Sequence, residues 1–318
     1  MRGEKMKKRI ALILSAILIL SVLTACGAGG AGGNKAADSM TPEEVIAAAT
    51  ENLNQVQSMT YDMDMDMEFA VTVASAGDQN MDIKMTSQAD YVVDPIRMKI
   101  TMNMDMGTGE SLDAIVYLAQ TGDGFDLYTG TENEDGSFDW TRQELTDMPD
   151  LQQYQADKSM ALYLTNGESF TENGTETVNG VEAVRYDGII RGDSLEDVMD
   201  SSGMTEQLAA MNLGSEEDLF EDAGDLPISI WIDKEELMPV KYEMDMTALM
   251  QGIMERSMAQ QMEGVEGAED VKVTVGKVFT SMIITGINNV GTIKVPEEAL
   301  DAELIDAATA AEMDPTAE

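Results

Sequence analysis

The sequence is poor in the residues on which much enzyme chemistry depends. It has no histidine, a single cysteine (Cys26), and 19 Lys and Arg against 60 Asp and Glu in 318 residues. The absence of histidine excludes Ser-His-Asp and Cys-His nucleophile pairs and every zinc site that uses an imidazole. One cysteine cannot form an internal disulfide. The formal net charge of −41 argues against a nucleic-acid-binding protein, since binding to phosphates needs Lys and Arg.

The rest of the composition is that of a folded protein. Hydrophobic residues make up 43% of the chain and charged residues 25%, close to globular averages and unlike a disordered acidic chain. The length is sufficient for one large domain or two ordinary ones. Methionine, with 27 residues, is as frequent as glycine.

The N-terminus has the pattern of a secretory signal. Five basic residues between Arg2 and Arg9 precede an apolar run from Ile10 to Leu23, which is too short for a comfortable membrane span. The run ends in Leu23-Thr24-Ala25-Cys26, which resembles the lipobox of bacterial lipoproteins. The resemblance implies cleavage after residue 25 and acylation of Cys26; the alternative is an ordinary signal peptide with an incidental free cysteine.

The predicted anchor also fits the charge of the mature chain. Removing residues 1–25 removes five basic residues and Glu4, which leaves 14 Lys and Arg against 59 Asp and Glu, or −45. Anionic headgroups repel such a chain, so a diacylglycerol on Cys26 would have to hold it at the outer face of the cell membrane. Residues 27–40 then form a Gly-rich tether with a reach of about 20 Å. Its G-x-G-x-x-G spacing lacks the strand and helix of a dinucleotide site.

Hydrophobic periodicity predicts a sheet with one apolar face. A capping box at Thr41 opens an amphipathic helix over 41–57. From Tyr61 to Val73 the odd positions are apolar and the even positions from Asp62 to Glu68 are acidic, the alternation of a half-buried strand. Similar segments separated by short turns recur, and a helix is predicted over 247–262. We therefore expect an α+β fold: a large curved antiparallel sheet, an incomplete β-barrel, with helices packed on its concave apolar face.

Several short motifs, in their order, resemble a known superfamily. They are the Thr41-Pro42-Glu43-Glu44 helix leading into Met59–Met63, the hairpin 177–183, the pair 231–234 and 237–240, and the ending 293–298. Together they look like the LolA/LolB and LppX/LprG superfamily, and more narrowly a lipoprotein branch in Gram-positive bacteria. The resemblance implies a half-barrel around a hydrophobic cavity closed by helices, which characterised relatives use to carry lipid or lipoprotein acyl chains. The predicted organisation is signal 1–25, acylated cysteine and tether 26–40, one domain over 41–302, and a disordered acidic tail 303–318.

Methionines mark the candidate ligand-binding residues. The set is Met63, Met65, Met67, Met98, Met102 and Met104 on neighbouring strands, with Met250, Met254 and Met258 as a helical lid. Methionine is unbranched and polarizable, so such a surface adapts to irregular apolar ligands. The same residues could instead be core filler beneath the helices. A Cu(I) site is disfavoured because the sulfurs alternate along strands instead of converging.

The acidic positions Asp62, Asp64, Asp66 and Glu68 favour a solvated strand face over a Ca²⁺ site. No S-x-x-K, G-x-S-x-G or P-loop motif is present, so serine acylation and nucleotide hydrolysis have no support. The sequence thus predicts no cofactor, no metal and no catalytic residues. It predicts a lipoprotein that binds a hydrophobic ligand; the alternative is a structural or sensory envelope lipoprotein with a self-filled core that binds a protein partner.

Overall fold

The computed structural model describes residues 40–73, 77–107, 109, 111–122, 124–145, 162–201, 205, 220, 224–261 and 271–305. Within them lie twelve strands: β1 Ser58–Val73, β2 Gly77–Val93, β3 Ile96–Asp105, β4 Ser111–Thr121, β5 Gly124–Glu132, β6 Phe138–Leu145, β7 Gly167–Val178, β8 Val181–Ile190, β9 Leu226–Asp233, β10 Pro239–Asp245, β11 Val271–Ile287 and β12 Glu303–Leu304. Four helices are labelled, α1 Pro42–Leu53, α2 Gly192–Ser201, α3 Thr247–Gln261 and α4 Glu297–Leu300, and the described residues 162–166 before β7 are also helical.

All twelve strands belong to one sheet. Their order is β12-β6-β5-β4-β3-β2-β1-β11-β10-β9-β8-β7, and every neighbouring pair is antiparallel except β12 with β6. The first and last strands of this order do not pair with each other, so the sheet is an open half-barrel. The predicted α+β class with a large curved antiparallel sheet is confirmed.

Three long strands form the middle of the sheet. β1, with 16 residues, lies between β2 and β11, with 17 each. Because side chains alternate along a strand, the odd positions of β1 face one side of the sheet, hereafter the inner face, and the acidic even positions face the other. The sequence predicted more than one strand within Val271–Ile284; the structure has one continuous strand, β11, with a register shift beside Gly276. This bulge keeps valines pointing inward on both sides of the shift.

Helices cover the inner face. Thr41 caps α1 as predicted, since its hydroxyl accepts the N–H of Glu44 and the Glu44 carboxylate accepts the N–H of Thr41. The helix ends at Leu53, four residues before the predicted limit, where Asn54 closes the last turn. Buried residues of α1, α2 and α3 join the inner strand residues in one apolar cluster; they are Val45, Ile46, Ala49, Leu53, Leu195, Val198, Met199, Leu249 and Ile253.

The outer face is also covered at one end, which the sequence pattern did not predict. Residues 288–305, hereafter the C-terminal strap, cross β4–β6 and include α4. Ile293 and Ala299 of the strap are buried with Tyr117 and Tyr128. The short helix α4 therefore packs on the outer face, in addition to the helices on the concave face. The outward positions of β4–β6 carry aromatic side chains, which need cover.

Two predicted features near the ends of elements can be compared with the structure. The Asn179-Gly180 turn joins β7 to β8 with φ angles of 48° and 83°, the geometry that favours this dipeptide in hairpins. Glu303 and Leu304, which follow the predicted domain limit at 302, pair with β6. The predicted signal, Cys26, the tether, residues 306–318 and most of the predicted helical segments 148–164 and 204–211 lie outside the described residues.

Candidate functional site

Strand register gathers seven of the inward methionines into two rows across the sheet. The Met63 row runs Met102, Ser87, Met63, Met282, Tyr242 across β3, β2, β1, β11 and β10. The Met65 row, one step further along the strands, runs Met104, Met85, Met65, Thr280, Met244. Neighbours within a row are about 5 Å apart and the rows about 7 Å apart. We call these ten residues the methionine face.

The burial of this surface changes along the strands. Met63 is 2% exposed and Met98, Met102 and Met104 are also buried, so the chain's own helices cover this part of the inner face. Met65 and Met67 are only partly buried, and Met81, on the same face at the far end of β2, is 55% exposed. The inner face is therefore closed near the start of β1 and becomes more exposed on β1 and β2 toward the end of β1, whereas Val273, Val275 and Val278 of β11 stay buried there.

The predicted strand methionines thus lie on one surface, whereas the predicted helical lid differs in detail. Leu249, Ile253 and Ser257 are the buried residues of α3. Met250 is partly buried against the main core, and Met254 and Met258 are partly buried. The helix turns its Leu249–Ile253–Ser257 stripe inward and carries the methionines beside that stripe.

Sequence reasoning omitted inward residues that the register brings into the same surface. Met85, Met244 and Met282 belong to the methionine face. They could have been predicted, because each occupies an apolar position of a segment in which apolar and polar residues alternate. Ser87 and Thr280 also belong to it. Each is 7% exposed, and neither hydroxyl has a hydrogen-bond partner among the described residues.

Side chains of helix α3 form hydrogen bonds with the backbone of β11 beside this surface, along the part of the strand that β10 does not pair with. The N–H of Val275 donates to Oε1 of Gln251 at 2.6 Å, and Nε2 of Gln251 donates to the carbonyl of Val273 at 3.3 Å. The N–H of Val278 donates to the hydroxyl of Thr247 at 2.9 Å. Side chains of a helix thus replace the strand that would pair beyond the end of β10.

The electrostatics of the two faces differ. Among the described residues, the buried polar side chains of the inner sheet positions are neutral, and the buried carboxylate, Asp126, lies on the outer side with Tyr128 and Arg142. On the outer side of β1, Asp62 accepts a hydrogen bond from Gln88 at 2.9 Å and Asp66 accepts one from Lys277 at 2.7 Å. The Lys277 ammonium lowers the pKa of Asp66.

A second polar cluster surrounds Trp231 on the outer side. The ring is buried, with Lys241 Nζ 4.2 Å and Arg185 Cζ 5.0 Å from its centroid. Arg185 donates to Asp187 at 2.7 Å. Burial opposes ionisation of Asp187, but hydrogen bonds from Ser229, Asn173 and Arg185 outweigh it, so the pKa of this carboxyl is lowered. These cations are engaged in covering the indole.

Two features bear on metal binding and membrane spanning. Within the described ranges, no three acidic or cysteine side chains are placed to hold a metal ion. None of the helices described is both long enough and apolar enough to cross a membrane.

Comparison with known proteins places the fold in a family. The model described as "Family of unknown function (DUF6612)" matches residues 41–303. The chain belongs to this family. Comparison of this DUF6612 chain with curated protein sequences gives no match.

Solved structures that match include both groups that the sequence resembles. The lipoprotein LppX of Mycobacterium tuberculosis shares 11% identity over 80% of this chain and 100% of its own, with a TM-score of 0.40. LprF of Mycobacterium bovis shares 13% identity over 80% and 96%, with a TM-score of 0.39. A putative outer membrane lipoprotein-sorting domain from Vibrio parahaemolyticus shares 9% identity over 76% and 89%, with a TM-score of 0.18. At these scores the likeness assigns no ligand to the DUF6612 chain.

Proposed function

We propose that the protein is an extracytoplasmic lipoprotein, anchored through Cys26, that binds a hydrophobic ligand against its methionine face and performs no catalysis. The observation that carries this proposal is the pair of methionine rows, which place seven thioether side chains together on one neutral surface. Methionine side chains reshape around irregular apolar molecules at low cost. Leucine or valine would fill a fixed core equally well, so the choice of methionine favours an adaptable surface.

We place the entrance for the ligand at the partly exposed end, around Met65 and Met67. Entry there would require the cover over Met63 and Met102 to move, because those side chains are buried. The half-buried state of Met65 and Met67 means that an apolar molecule can contact them before any helix is displaced. Burial of further apolar area would then favour the displaced state.

The second candidate is a structural or sensory envelope lipoprotein that binds a protein partner. The near-complete burial of Met63, Met98 and Met102 favours it, because these positions are already filled by the chain itself. The two candidates differ in one respect that can be measured: only the first takes up an apolar probe at the methionine face.

The test is binding of the neutral fluorescent dye Nile red to residues 26–318 carrying Cys26→Ser. We expect saturable binding, weakened about tenfold or more by Met65→Gln with Met67→Gln, since the amides must give up water to meet the ligand. Met238→Gln is the matched control, because Met238 is partly buried near the opposite end of the sheet. Absence of saturable binding, or equal weakening by the control, would favour the self-filled scaffold.

A further inference from the structure

Two inward hydroxyls on the methionine face have no hydrogen-bond partner in the part of the chain that the structure describes. Ser87 occupies an inward position of β2 between Met63 and Met102. Thr280 occupies one on β11 between Met65 and Met244. Each hydroxyl is buried and unbonded. Leaving a buried hydroxyl unsatisfied costs about 1–3 kcal/mol, so two such groups on one surface call for an explanation.

Local structure explains them poorly. Threonine is favoured in strands, but serine is not. The inward positions on either side of Ser87 are Met85 and Ala89, both buried, so an alanine at 87 would continue the pattern without an unbonded hydroxyl. The retained oxygen points to a partner that the described residues do not supply.

The spacing limits what that partner is. Ser87 and Thr280 stand two strands and one row apart, which corresponds to about 12 Å. Met63 and Met65, the residues that separate them, carry no strong hydrogen-bonding group. The described inner positions around them hold no buried charge, and an ionised group is costly to bring into such surroundings. The fitting ligand is therefore neutral and mostly apolar, with hydrogen-bond acceptors spaced within its apolar length.

Resting on the proposed function, we propose that the Ser87 and Thr280 hydroxyls donate hydrogen bonds to carbonyl oxygens of a neutral acyl ester bound on the methionine face. Ester carbonyls accept hydrogen bonds without bearing charge, and the attached chains supply the apolar surface that methionine side chains contact. An ionised free fatty acid has the apolar chain, but its carboxylate bears a charge. The two hydroxyls then set ligand preference, while the methionines supply most of the contact area.

The test compares 1,2-dioleoylglycerol with its 1,2-dioleyl ether analogue, which has the same shape but no carbonyl groups. Each is used to displace Nile red from residues 26–318 carrying Cys26→Ser. We expect the ester to displace the dye at about tenfold lower concentration than the ether. Ser87→Ala with Thr280→Val should abolish this preference, so that the ester and the ether displace the dye at the same concentration.

The matched control is Thr86→Val with Ser281→Ala, which removes one hydroxyl from the opposite face of each of the same strands. It should keep the preference for the ester. Equal displacement by ester and ether in the unsubstituted chain, or a preference that survives loss of Ser87 and Thr280, would overturn the inference while leaving the proposed function standing. Failure of the dye and both lipids to bind would overturn both.

Discussion

At the scale of single residues, the two faces of β1 show how one alternating segment separates two roles. The odd positions carry the methionines, and the even positions carry carboxylates, of which Asp62 and Asp66 accept hydrogen bonds from neighbouring strands. Asp66 is the clearest case, because Lys277 of β11 donates to it at 2.7 Å and lowers its pKa. A carboxylate row that would otherwise repel itself is thereby partly neutralised by neighbouring strands.

This pairing predicts a pH-dependent contribution to stability. Lys277→Gln should lower the free energy of unfolding at pH 7 by less than about 1 kcal/mol, since both side chains are partly exposed. The folded pKa of Asp66 lies below its ordinary 3.8, so the contribution is fully present above that value and is lost as the pH falls through the folded pKa. Urea unfolding at pH 7 and pH 3 measures it. Lys272→Gln on the same strand should show no such dependence.

At the scale of elements, the long alternating strands and α1 could be predicted from sequence because their periods are unambiguous. The outward aromatic residues of β4–β6 carried no comparable signal. Tyr117 and Tyr128 look like solvent-facing strand residues until the C-terminal strap is known to cover them. Periodicity alone also does not choose which stripe of α3 is buried, because Leu249 and Met250 are both apolar.

The attachment of α3 to β11 predicts a local loss of protection. Gln251→Met should remove the acceptor of the Val275 N–H, which is then either buried without a partner or hydrated by water. The free energy that holds this edge closed should fall by about 1–3 kcal/mol. Hydrogen exchange measured by mass spectrometry should accelerate in peptides containing Val275 and stay unchanged in those containing β3 and β4. Gln79→Met, at an exposed position of β2, is the control. Unchanged exchange at Val275 would mean that the Gln251 amide does not secure this edge.

At the scale of the whole molecule, the candidate site depends on strand register, which sequence alone did not supply. The predicted methionines of β1 and β3 lie on one surface because β2, which separates the two strands, places Met85 and Ser87 in line with them. Met244 and Met282 join from the other side through β10 and β11. A chain as acidic as this one, −41 in total, nevertheless keeps the described part of this surface free of buried charge.

The proposed anchor makes a prediction about the whole chain. Cys26→Ser should move the protein from the membrane fraction to the soluble fraction, because the acidic body has no electrostatic attraction to anionic lipid. Fractionation at low and high salt followed by immunoblotting measures it, with Ser39→Ala as the matched control. Retention of Cys26→Ser in the membrane fraction would contradict anchoring through this residue.

The central claim is that the methionine face holds a hydrophobic ligand. The most direct test is native mass spectrometry of residues 26–318 with Cys26→Ser. The protein is purified without detergent, so that any lipid acquired from the expressing cells stays bound. We predict a mass excess that corresponds to one lipid-sized molecule and that diminishes with Met65→Gln and Met67→Gln but not with Met238→Gln. A clean ligand-free mass that stays unchanged after incubation with dioleoylglycerol would contradict the claim.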